Sequence, residues 1–313
     1  MIYFFLILWL LSTLLMILEH KLTRILIYLG IFSLLTSICF LLFAAPDVAM
    51  AEAAISTFST VFFIICFEKH YGFKSHSLGG EGITNKIISG KIKFLKFIIP
   101  LLFSIFLFGL FISSIPFTEA SSFLKDKYLS GFISDIGGEN SVTAIYLGYR
   151  MYDTLFEALM LLASVVAVSH LSHFDETIAE EGESHDLTRS AIGSFTIRAI
   201  SPVILIFGIY LILNGHLTPG GGFQGGVALA AFFVCRYMLY NIYDTKAEKI
   251  FIMEKIIFTV IILLPVLFIF MGLYNYYPQY RHTYLIVMNS LIGMKVCFGF
   301  MVIFYRYIAF EKR

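Results

Sequence analysis

Three ionisable residues, Arg150, Asp153 and Glu157, sit inside a long apolar run from Val142 to Leu171. Their spacing of i, i+3 and i+7 puts them on one stripe of a helix, where a guanidinium meets a carboxylate and a second carboxylate lies one turn further along. If that run crosses a bilayer, each charge near the centre costs about 2.5 to 3.5 kcal/mol on an insertion scale, so the stripe has to face protein or water. Arg150 and Asp153 read as an ion pair. Glu157 is then left without a base on its own helix, which suits it to loading and releasing a proton or a cation.

Other residues share this intramembrane character. In the stretch APDVAMAEAAISTFS, Pro46 suits a first helical turn, Asp47 reads as a charge at the helix end, and Glu52 lies about 7 Å further in at 1.5 Å per residue. Small residues surround Glu52, and an unpaired membrane carboxylate reads as part of an ion path. Lys295, in the stretch LIVMNSLIGMKVCFGF with Asn289, has no acid within one turn of its own helix. Its partner has to come from another helix or its amine has to be neutral, and a proton relay is the reading preferred over a static pair. The intramembrane acids Asp47, Glu52, Asp153 and Glu157 outnumber the bases Arg150 and Lys295, which predicts partners outside the chain. His216 lies in the glycine-rich link NGHLTPGGGFQGG, where hydrogen bonding at the mouth of the bundle and proton transfer both stay open. The link is no nucleotide loop, because no Lys-Ser or Lys-Thr follows the glycines and no βαβ pattern surrounds them. His170 and His173 have a spacing that metal sites use, but their place at a helix end beside an acidic loop reads as interfacial. The four cysteines all fall in apolar runs with no Cys-x-x-Cys, so no metal or iron–sulfur ligation is expected of the chain.

The elements that must carry these groups follow from composition. Of 313 residues, 59% are hydrophobic and 14% charged, and the mean hydropathy is +0.87, which describes a polytopic membrane protein rather than a soluble domain. A formal net charge of +1 gives no reason to expect nucleic acid as a partner. Apolar runs of spanning length occur at about 2–18, 22–43, 48–67, 94–115, 142–171, 194–214, 223–241, 250–272 and 284–308. The expected fold is therefore an all-α bundle of about nine transmembrane helices. With the N-terminus outside and the C-terminus inside, the outside loops hold only Lys125, Lys127 and Arg281 of the 22 basic residues. Two polar inside segments, 68–93 and 173–190, form seams, and the outside loop 116–141 is too long for a simple turn.

The segments resemble the membrane modules of Mrp-type multisubunit cation/proton antiporters and of the related energy-converting membrane-bound hydrogenases. The stretch APDVAMAE at 45–52 is similar to the small three-helix D-type subunit. NSVTAIYLGYRMYDTLFEALML at 140–161 is similar to the two-helix E-type module that follows it. The stretch at 201–226 that ends in NGHLTPGGGFQGG, with NSLIGMKV at 289–296, is similar to the four-helix B subunit. The resemblance implies three modules, 1–72, 73–192 and 193–313, and places the family's polar positions on Glu52, Arg150, Asp153, Glu157, His216 and Lys295. It also implies an accessory subunit of a Na+ or other cation/H+ antiporter module in the cytoplasmic (inner) membrane. Its partners would be other integral membrane subunits and the lipid bilayer, with Na+ or H+ as transported ion. No cofactor and no redox or hydrolytic site is expected in the chain itself. Because no antiporter-like segment precedes Met1, a hydrogenase-type parent complex is preferred slightly over an Mrp-type one. The rival expectation is a structural scaffold that seals and positions antiporter-like neighbours.

Overall fold

The structure is a computed structural model that describes residues 2–71, 123–171, 191–240, 247–270 and 278–309, with 102, 105–107, 109, 110 and 113. Every regular element among them is helical. In chain order these are α1 (Ile2–Leu18), α2 (Leu22–Leu42), α3 (Pro46–Tyr71), α4 (Phe123–Gly131), α5 (Ser141–Ala144), α6 (Met151–Leu171), α7 (Ala191–Asn214), α8 (Gly222–Tyr240), α9 (Ala247–Phe270) and α10 (Gln279–Ala309). Two π-helical turns, Phe132–Ile136 and Ile145–Tyr149, follow α4 and α5. The expected run at 94–115 and both polar seams lie wholly or mostly outside the described residues.

The chain forms two compact units, one of Met1–His70 with Tyr128–Arg313, the other of Tyr71–Lys127. All that follows concerns the first. Six helices among the described residues are long and apolar enough to cross a membrane, and α1 and the Gly222–Arg236 part of α8 are shorter apolar helices. The protein is an all-α polytopic membrane helix bundle. α10 is its central post: 56% of its apolar stretch is buried, against 17–22% in the other five long helices. The remaining helices keep large side chains such as Phe4, Phe156, Phe195 and Ile206 on the outside, as a surface that meets lipid or other apolar helices does.

α10 and α8 pack backbone to backbone, which explains the glycines of the preceding link. A Cβ placed on Gly226 would lie 2.5 Å from the Gly293 carbonyl oxygen, and one on Gly293 would strike Ile212. Such approach is open only to small residues. Gly220 and Gly221 hold φ of +142° and +150°, so the tight reversal between α7 and α8 requires them as well. Gly226→Val is therefore expected to cost about 1–3 kcal/mol by overpacking and to lower the melting temperature of the purified protein. An unchanged melting temperature would show that α8 and α10 do not meet there.

The expected continuous helix over 142–171 is broken. The turn Ile145–Tyr149 is π-helical, with the Arg150 N–H bonded to the Ile145 carbonyl at 2.8 Å, and Arg150 leaves helical geometry at φ −119°, ψ 36°. The break strands the Tyr146 carbonyl, and the Thr154 hydroxyl takes it up at 2.6 Å. Arg150 thus stands at a joint between two helical pieces instead of within one.

Candidate functional site

Lys295 lies about 24 Å along α10 at 1.5 Å per residue, near the middle of its 31 residues, and its side chain is fully buried. The partner from another helix is Glu254 of α9, also fully buried, with Nζ 2.8 Å from Oε1. The Phe258 ring lies 5.4 Å from the same nitrogen. Glu254 Oε2 has no hydrogen-bond partner among the described residues. A carboxylate oxygen left bare in an apolar interior is costly, and the arrangement holds a charge pair by one close contact in a site of low dielectric. Glu254 escaped the reading of the sequence and corrects its count of acids. Beside Lys255 at the start of an apolar run it looks like a helix-end charge. The 100° step per residue turns Lys255 outward over the Phe251 ring and Glu254 inward.

The α6 stripe takes a different course. Arg150 and Asp153 form the expected ion pair, but on the outside of the bundle, with side chains 61% and 56% exposed. Glu157 is exposed on the same helix beside Phe156 and Met160 and has no ion-pair or hydrogen-bond partner among the described residues. The stripe faces away from this chain's own core. Glu52 is half-buried in α3 and likewise has no polar partner there.

Asp47 is not the free end charge that its position suggests. It is buried at the end of the bundle where α3, α5, α8 and α10 begin. Its Oδ1 accepts hydrogen bonds from Asn140 Nδ2 and from the Gly220 backbone N–H, each at 3.0 Å. Asn140 caps α5 through its Oδ1, which accepts from the Val142 N–H at 2.9 Å, and its Nδ2 also reaches the carbonyls of Gly215 and Thr218. The Thr143 hydroxyl donates to the Gly215 carbonyl at 2.5 Å. The Tyr146 hydroxyl donates to Asn289 Oδ1 at 2.9 Å, and that oxygen also accepts the first N–H of α8, from Gly222 at 3.2 Å. One buried polar cap therefore joins α3, the segment before α5, the glycine-rich link and α10.

His216 belongs to this cap and is 2% exposed. Its backbone carbonyl accepts the N–H groups of Glu139 and Asn140 at 2.9 and 3.0 Å. Its Nε2 lies 2.8 Å from Nε2 of His282 on α10, with the rings edge to face. Burial holds its pKa below the usual histidine range, and His282 adds to that, while the Leu213 backbone and Glu139 oppose it. His282 was not singled out in the sequence, since a lone histidine at a helix start carries no signal of its own. His170 is exposed, and His173 lies outside the described residues. No group of three or more metal-ligating side chains occurs among the described residues. The site residues thus form separate centres: a buried pair in mid-bundle, a polar cap at one end, and an exposed stripe on α6.

Residues 192–309 match the family model described as a domain related to the MnhB subunit of Na+/H+ antiporter, and residues 7–71 match the MbhD model, that of the D subunit of MBH. The uncharacterized protein MJ1307 of Methanocaldococcus jannaschii is 33% identical over 153 residues, 44% of this chain and 57% of that protein. The probable K(+)/H(+) antiporter A/B subunit of Rhizobium meliloti is 25% identical over 242 residues, 70% of this chain and 24% of that one. The chain thus spans about half of one relative and about a quarter of the other. Among solved structures, that of the Mrp complex from Dietzia sp. DQ12-45-1b is similar in fold, with a TM-score of 0.71 at 16% identity over 99% of this chain and 35% of the matched chain.

Proposed function

We propose that this chain, which joins an MbhD-type segment to an MnhB-related domain, is a membrane subunit of a multisubunit cation/proton antiporter-type complex and contributes charged groups to its ion path. It is a transport subunit rather than an enzyme. The observation that carries this reading is the Glu254–Lys295 pair, because ionisable residues in membrane helices are rare, costly and mark ion pathways and proton relays. The segment between the two matched regions acts as the E-type module, giving the division 1–72, 73–192 and 193–313. Nine crossings with the N-terminus outside, in the cytoplasmic membrane, agree with the distribution of Lys and Arg. Glu52 and Glu157, which lack a polar partner among the described residues, face neighbouring subunits, since a lipid-facing carboxylate would be poorly tolerated at either place. The parent complex is either a stand-alone antiporter or a hydrogenase-type assembly, and Na+ or another monovalent cation exchanges for H+.

Glu157→Gln tests the exposed stripe. Size and hydrogen bonding are kept, so recovery of the complex should be unchanged, while cation-dependent proton flux in reconstituted vesicles should fall by at least about tenfold. Flux at the wild-type level would remove Glu157 from the path. The scaffold reading has its own support, because Arg150–Asp153 and Asp47 are already satisfied within the chain. Paired substitution of Glu254 and Lys295 separates the two readings.

A further inference from the structure

The two imidazoles at the polar cap carry more than packing. We propose that His216 and His282 form an acid-opened latch: the pair accommodates one proton with its geometry intact, a second proton breaks it, and the cap at this end of the bundle then loosens. An Nε2–Nε2 separation of 2.8 Å requires a single hydrogen between the two nitrogens, one ring donating and the other accepting. A first added proton is compatible with that, because an imidazolium N–H donates to a neutral imidazole more strongly than a neutral one does. A second proton puts hydrogen on both facing nitrogens and like charge on both rings, so the contact cannot persist.

The surroundings offer no other way to accommodate that second charge. Glu139 favours a charged His216, but its side chain is exposed and its attraction is screened by water. The Asp47 Oδ1 is held by Asn140 and Gly220, and Arg281, next to His282, directs its Nη1 to the Ser134 carbonyl at 2.7 Å. Among the described residues, no carboxylate is hydrogen-bonded or ion-paired to either ring. The consequence reaches beyond the two rings because the His216 carbonyl holds the Glu139 and Asn140 N–H groups, and Asn140 holds Asp47 of α3. Release of His216 frees the link between α7 and α8 together with the segment before α5.

The sign follows from linkage. With its folded pKa depressed below 6.5, neutral His216 contributes stability that is complete above about pH 6.5 and is lost as pH falls through the lowered folded value. Hydrogen exchange at the amides of Glu139 and Asn140, measured on the full chain in lipid nanodiscs and corrected for intrinsic pH dependence, reads this directly. Protection in the wild type should fall by roughly tenfold between pH 7.5 and 5.0. In His282→Gln, where a neutral amide faces His216 at every pH, protection at pH 7.5 should persist and the acid loss should shrink to what burial of His216 alone causes. His216→Gln, which removes the buried imidazole, should abolish the acid loss. Flat protection in the wild type, or an undiminished acid loss in His282→Gln, would overturn the latch.

Discussion

Lys295→Met alone is expected to destabilise the protein by about 3 to 5 kcal/mol, and Lys295→Met combined with Glu254→Met to restore most of that loss while leaving proton flux abolished. The single substitution leaves the Glu254 carboxylate charged and unpaired in an interior where both side chains are fully buried. The double substitution fills the same volume with apolar groups, and a buried pair replaced in this way is often neutral or stabilising. Stability and transport thus part company in the double variant, as they would not for a pair that only braces α9 against α10. The measurements are recovery of the intact complex and cation-dependent proton flux in vesicles. Wild-type flux from the double variant would assign the pair to structure and favour the scaffold reading.

Asn140→Ala should be the most damaging substitution at the cap, at about 2–4 kcal/mol. It removes the N-cap of α5, worth roughly 1 kcal/mol, and leaves three acceptors, one on α3 and two on the α7–α8 link, short of a partner. Asn140→Asp keeps shape and cap but sets a second carboxylate about 3 Å from that of Asp47, where like charges repel, so it should destabilise comparably at neutral pH. Thermal unfolding of the purified chain in mild detergent measures both. A tolerated Asn140→Asp would mean that Asp47 is not held there as a carboxylate.

These expectations share a physical basis. The chain offers few charges, and the structure sorts them by depth. Glu254 and Lys295 pair through one contact in mid-bundle, Asp47 is held by backbone and amide donors at one end, and Glu52 and Glu157 have no polar partner among the described residues. The α6 ion pair is half in the open, and an exposed pair is worth little to stability, so Asp153→Asn should disturb the isolated chain far less than Asn140→Ala. Its effect on assembly then depends on the neighbour that covers α6.

What the sequence alone determined was the class of molecule and most of its helices. Apolar runs of spanning length have few foldings open to them in a bilayer, because every backbone group must be satisfied within the run. Pairing was decided only by tertiary structure. Lys295 called for an acid on another helix, yet nothing local distinguished Glu254 from a charge at a helix end, since inward and outward at positions 254 and 255 differ by one helical step set by how α9 packs on α10. The same holds for His282, which acquires meaning only when the link brings His216 to 2.8 Å. The i, i+3 spacing of Arg150 and Asp153 announced the ion pair that forms, whereas only the packing of α6 put that pair on the outside of this chain's bundle. Periodicity reports what one helix presents along its own axis; which face meets the core is set by the other helices, and that is where the site was made.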